Sequence, residues 1–209
     1  MRSEIERGLR AVQQATGVLP TGFRAPGYAV NDTLLALLQE LGLAYDSSVF
    51  PCPPYYLAKA AALAKLSLQR KQSRAILDAP DALRAPTRPY RVGRPYWYRG
   101  TGILEVPIQV TRKARLPFIG TALTLAGPLG ARLLTRGVLG EPLVNLELHG
   151  IDALDERDGL SELARHQPDL RIPWAKKLDA IDAAVSLLLE KGYASVRMDE
   201  LASAARAGA

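Results

Sequence analysis

Strand-like runs alternate with helix-like runs along this chain, and that alternation constrains the fold more than any other feature. Strands separated by helices pair in parallel, which defines an α/β architecture. The helical runs follow from apolar spacing. Ile5, Leu9 and Val12 come after a Ser3-x-x-Glu6 capping box, and Gly17 ends the run. Asn31 or Asp32 caps a second helix carrying Leu34, Leu35, Leu37, Leu38 and Leu41, with Gly42 as its stop. Residues 55–77, rich in Ala and Leu with Lys and Arg, read as a third helix. Residues 118–139 hold one or two short helices. Residues 175–191 place Leu178, Ile181, Val185 and Leu188 on one helical face before Gly192, and Asp199 caps a last helix. Strands are expected where residues 21–28 enter a loop, and at 44–50, 103–110, 143–148 and 193–198. The prolines and glycines of residues 78–102 predict a long loop.

A length of 209 residues suits a single domain over residues 1–209. Apolar residues make up 48% and charged residues 23%, which excludes a disordered or fibrous chain. Cys52 is the single cysteine, so neither an internal disulfide nor a multi-cysteine zinc site can form. The N-terminal run is charged and amphipathic, unlike a signal peptide. The longest uncharged apolar stretch, residues 116–131, is interrupted by Pro117 and Pro128 and is too short for an ordinary membrane span. These features predict a soluble, cytoplasmic protein.

The formal net charge of +6 is unevenly spread. Between Lys59 and Arg115 there are thirteen Lys or Arg against three acids. Within that region, Arg88, Arg91, Arg94 and Arg99 interleave with Tyr90, Tyr96, Trp97 and Tyr98. Such a loop can be a solvated surface with its aromatics tucked inward, or it can hold a glycan or a phosphate. It can also stack on bases, but no nucleic-acid motif accompanies it, and nucleic acid is not expected as a partner.

Two predicted strands carry polar residues on one face. Asn145, Glu147 and His149 share a face in one, and Glu105 and Gln109 share a face in the other. Polar groups near the C-terminal ends of strands mark where α/β proteins build sites. His149 can act there as general acid or base, or be structural. His166 reads as a helix-end residue. Glu105 and Glu147 are either site carboxylates or solvated residues of an edge strand.

Three segments belong together: Gly22-Phe-Arg-Ala-Pro-Gly-Tyr28, Leu43-Ala-Tyr-Asp-Ser-Ser-Val-Phe-Pro51 and Leu146-Glu-Leu-His-Gly-Ile-Asp152. In that order, with Glu105-Val-Pro-Ile108 between them, the chain resembles the C-terminal part of the NodB-type polysaccharide deacetylases, the fourth carbohydrate esterase family. The resemblance spans about residues 3–202. It implies a distorted (β/α) barrel, incomplete at the N-terminus. It implies a metal-dependent hydrolase that removes an N-acetyl or N-formyl group from an amino-sugar glycan or a lipid-linked sugar. A divalent metal, zinc above all, supplies the nucleophile from bound water in such enzymes. By resemblance, Arg24 matches the arginine that orients the base aspartate, and Pro26 shapes the groove. The N–H of Gly27 contributes to the oxyanion hole, and Tyr28 lies in the same substrate-binding turn. His149 matches the histidine that protonates the leaving amine.

The departures are equally specific. The family's T-F-D-D and H-x-x-x-H motifs, which carry the base and the metal ligands, do not occur, so Met1 reads as an internal methionine. The fourth motif's acid, which orients the histidine, is also missing, and strand alternation puts Glu105 in its place. Glu147 stands where an apolar residue normally lines the acyl pocket. With two histidines far apart and no metal ligands assigned, the chain as written is expected to be inactive alone. Two other readings compete. One is a non-catalytic saccharide-binding module using the Arg- and Tyr-rich loop. The other is a peripheral membrane protein with residues 118–134 in the interface near a polyprenyl-linked saccharide, beside Arg112, Lys113 and Arg115. The structural alternative for that stretch is a buried helix pair.

Overall fold

A computed structural model describes residues 1–68 and 80–207. Among the described residues the α-helices are α1 (Arg2–Thr16), α2 (Asp32–Glu40), α3 (Pro53–Leu68), α4 (Gly120–Val138), α5 (Trp174–Glu190) and α6 (Met198–Ala207). Four strands are β1 (Gly22–Phe23), β2 (Tyr45–Asp46), β3 (Tyr90–Val92) and β4 (Arg99–Glu105). They form one sheet in the order β1-β2-β4-β3. β1, β2 and β4 run parallel, while β3 is antiparallel to β4. The class is mixed α/β. The sheet is open, with β1 and β3 at its edges, and the described strands close no barrel.

The chain divides into two compact units. One comprises Met1–Pro51, Leu63–Pro107 and Val196–Ala209, and the other Cys52–Ala62 and Ile108–Ser195. The first contains the whole sheet. Its core joins Leu34, Leu35, Leu37 and Leu38 of α2 to Val30, Leu43, Val49, Tyr90, Val92 and Ile103. The second is built on α4 and α5. Leu123, Ala131 and Val138 of α4 pack with Ala180, Ala184 and Leu188 of α5 around Phe118. Alanines on α5 let the two helices approach closely. Cys52 is buried, and burial pushes its thiol up to about 11.

Several elements follow the sequence closely. Asn31 caps α2, its side chain accepting the Leu34 N–H at 2.9 Å. Gly17 ends α1 in the left-handed region, at φ 75°. Within α4, Gly127 breaks the helical path at φ 66° and ψ 178°, just before Pro128, so one helix or two is a matter of where the break is counted.

Other expectations are corrected. α1 begins at Arg2 with Met1 as its cap, which puts Ser3 inside the first turn, so no Ser3–Glu6 capping box forms. The strand expected at 103–110 starts earlier and stops at Glu105, because Pro107 has no N–H to extend the ladder. Part of the loop expected at 78–102 pairs as the β3–β4 hairpin. The strand at 44–50 reduces to Tyr45–Asp46. That expected at 143–148 is a single parallel bridge between Glu147 and Ile119. No strand forms at 193–198, where the Tyr193 hydroxyl donates instead to the Glu141 carbonyl at 2.7 Å. The helix expected at 55–77 is present to Leu68; residues 69–77 lie outside the described residues.

Candidate functional site

The sequence-predicted residues fall into two clusters, one in each unit. In the first, the parallel strands end together. β2 and β4 are in register, with Asp46 opposite Glu105, and β1 leads directly into Arg24. Both carboxyls are fully buried. Ser48 donates to Asp46 through its hydroxyl at 2.8 Å and its N–H at 3.2 Å. Glu105 Oε1 accepts the Val49 N–H at 3.0 Å. Glu105 Oε2 meets no donor. A proton on that oxygen, donated to Asp46, satisfies both groups. Burial first, then the charge of Asp46, pushes the Glu105 carboxyl well above its ordinary range. Burial also raises Asp46, while hydrogen bonds from Glu105 and Ser48 hold it down. Both shifts favour one proton held between the two groups.

Arg24 is half-buried beside this pair. Its Nε donates to the Ser47 carbonyl at 2.8 Å and its guanidinium to the Ser47 hydroxyl at 2.7 Å. Ser47 in turn donates to the Val106 carbonyl at 2.8 Å. Arg24 therefore ties the end of β1 to the segment after β2. Ala25, Pro26, Gly27 and Tyr28 make a type II turn, closed by the Tyr28 N–H on the Ala25 carbonyl, with Gly27 at φ 64° and ψ 17°. Pro26 and Gly27 are exposed. Tyr28 also has a positive φ of 64°, which costs a non-glycine residue. Its ring is buried edge-on against Phe50, with centroids 5.0 Å apart. Of the aromatics in the Arg-rich loop, Tyr90 and Tyr96 are buried and Tyr98 is exposed. The Tyr90 hydroxyl donates to the Tyr96 carbonyl.

The second cluster surrounds His149. Along residues 145–149 the inward positions are Asn145 and Glu147, whereas Leu148 and His149 face outward. The His149 side chain is 50% exposed. Its Nε2 lies 3.5 Å from Glu147 Oε1 and its Nδ1 lies 3.9 Å from Asp152 Oδ2, and both acids are buried. The His149 backbone N–H donates to Asp152 Oδ2 at 2.8 Å, and the Thr121 hydroxyl donates to Oδ1 at 3.0 Å. Gly120 admits this carboxylate, since a Cβ there would collide with it. The Gly120 N–H also donates to the Glu147 carbonyl at 2.8 Å. A short 3-10 turn, Gly150–Ala153, follows His149. It is pinned by Lys177 of α5, fully buried, whose Nζ donates to the Ile151 and Leu154 carbonyls at 2.8 and 2.7 Å. Asp155 accepts the Trp174 N–H at the start of α5, and the Arg157 guanidinium holds its carboxyl below the usual range. His166 is exposed at the end of another 3-10 turn.

Glu105 spends its hydrogen bonds on Val49 and Asp46, and the acids beside His149 in its own unit are Glu147 and Asp152. Asp152 carries a recognisable signal, an acid three residues after a histidine at a turn. Asp46, Ser48, Thr121, Gly120 and Lys177 depend on pairings between distant segments.

Among the described residues, no group of three or more His, Cys, Asp and Glu side chains is placed to hold a metal ion.

No family model and no curated protein matches this chain. Among solved structures, the crystal structure of a "putative polysaccharide deacetylase" from Mycobacterium smegmatis is similar at 17% identity, with a TM-score of 0.49 over 99% of this chain. The chain spans 56% of the length of that protein.

Proposed function

We propose that this chain is part of a NodB-type, barrel-built N-deacylase acting on an amino-sugar glycan or lipid-linked sugar, and that the 209-residue chain alone does not turn over. One observation carries the reading: a half-exposed imidazole with a buried carboxylate near each nitrogen. In this reading His149 gives a proton to the leaving amine, a role typically worth about 10²–10⁴ in rate. Asp152 orients His149 by fixing the backbone that carries it, and Glu147 lies beside the ligand. Within the sheet-bearing unit, Pro26, Gly27 and Tyr28 are assigned to a saccharide-facing turn. Arg24 and the Glu105–Asp46 pair position that turn. The described residues supply no metal site, so they are assigned proton transfer and ligand binding only.

The test is an NMR titration of the full chain with triacetylchitotriose, read at the two histidine rings. His149 resonances should move while those of His166 stay, and added zinc should release no acetate. A static His149 ring would overturn the site; metal-dependent acetate release would overturn the inactivity.

A cleft in the sheet-bearing unit supports the second reading, a non-catalytic saccharide-binding module. It has a volume of about 730 Å³ and is lined by Gln39, Arg94, Arg99 and Thr101 among others. If that reading holds, Arg94→Gln abolishes saccharide binding and His149→Ala leaves it unchanged.

A further inference from the structure

The outer face of α4 is apolar and uncovered. Leu129 and Leu133, one turn apart after the break at Gly127, are 82% and 64% exposed, and Leu125, before the break, is 60% exposed. The opposite face, carrying Leu123, Ala131 and Val138, packs in the core. The helix is therefore apolar on both sides, and the core accounts for only one of them. Leu116 adds to the exposed side from the preceding loop.

Along the sequence that carries these leucines the charge has one sign. From Val106 to Gly140 the sequence contains Arg112, Lys113, Arg115, Arg132 and Arg136 and not a single Asp or Glu. Arg112 is engaged, with Glu141 at 3.4 Å and the Leu139 carbonyl at 3.1 Å. Lys113, Arg132 and Arg136 form no ion pair among the described residues. Arg112, Lys113 and Arg136 line, with Leu116, Leu133 and Leu134, a cavity of about 510 Å³ between the loop and the end of α4.

We infer that this face docks on an anionic lipid bilayer. Protruding leucines rimmed by cations suit a surface that is apolar a few ångströms down and negatively charged above, with the leucines below the headgroups and the guanidinium and ammonium groups among the phosphates. A second copy of this chain is a poor occupant. A two-fold contact centred on Leu129 would bring each copy's arginines against their equivalents, a like-charge apposition that costs affinity. Among the described residues no helix is long and apolar enough to cross a membrane. The docking stands independently of the hydrolase reading.

The experiment is co-sedimentation of the full chain with vesicles, at low salt. Vesicles of phosphatidylcholine with phosphatidylglycerol should retain the protein at least about tenfold better than phosphatidylcholine alone, and about 0.5 M NaCl should release it. Leu129→Glu with Leu133→Glu should lower partitioning at least about tenfold, with the far-ultraviolet circular dichroism unchanged. Should that pair disturb folding, Leu129→Gln alone, at the most exposed position, carries the same expectation in direction. Lys113→Gln with Arg136→Gln should weaken binding at low salt. Failure of the unaltered chain to bind anionic vesicles at low salt overturns the proposal. So does a dimer in sedimentation equilibrium that Leu129→Glu dissociates while vesicle binding persists, which would assign the face to a second copy.

Discussion

Glu105 and Asp46 meet because two strands 59 residues apart end in the same register. Each residue could be read singly from the chain. Their partnership could not, since neither periodicity nor spacing reports which strand lies beside which. The partnership has a pH signature. The native state holds the Glu105 proton more tightly than an unfolded chain with an ordinary value of 4.5. The contribution is complete below that value. As pH rises above it, the unfolded chain loses the proton first, and stability falls by up to about 1.4 kcal/mol per pH unit until the native pair ionises. Glu105→Gln keeps an acceptor for Val49 and a donor to Asp46 while removing the proton. Urea unfolding across that range should show the decline flattened in this variant. Glu105→Ala strands the Val49 N–H and should cost about 1–3 kcal/mol. An unchanged slope in Glu105→Gln would mean that the pair does not hold its proton in the native state.

Helices were far more legible than strands. α2 and α5 repeat their apolar residues over several turns, with Asn31 opening α2 and Gly192 following α5, and Gly17 ends α1. β1 and β2 are two residues each. A period of two cannot be seen in so short a run, and what places them is the pairing of β1 with β2 and of β2 with β4. The segment around residues 143–149 shows the limit from the other side. Asn145 and Glu147 point inward as the alternation predicts, but His149 does not share their face: it is exposed beside Leu148, and the segment makes one bridge rather than a strand. What holds His149 is a helix: Lys177 reaches from α5 to two carbonyls of the turn that follows it. Lys177→Met preserves the apolar stem and leaves the Ile151 and Leu154 carbonyls without their donor. Thermal or urea unfolding should show a loss of at least about 2 kcal/mol, and the His149 ring signals should move. A variant as stable as the parent would make the lysine incidental.

Each unit has its own buried apolar cluster, which predicts that the two respond separately to a core substitution. Composition predicts a chain able to bury a core but cannot count cores, because the sequence order weaves in and out of both units. Leu38 is completely buried in the sheet-bearing unit. Leu38→Ala should cost about 2–5 kcal/mol. Amide hydrogen exchange should then rise in β4 and α2 and stay near its parent value in α4 and α5. A uniform rise would instead make the chain a single cooperative body. Charge is also divided by segment. Residues 108–140 carry five cations and no acids, and residues 141–195 carry six cations against eleven acids. The basic face of α4 is thus a local property that the net charge of +6 conceals. The lone thiol matters at this scale too. With Cys52 buried and its ionisation pushed to about 11, the folded chain is nearly silent to maleimides at neutral pH. A cysteine introduced at an exposed position can therefore carry a fluorophore or spin label by itself, with the native thiol left in place.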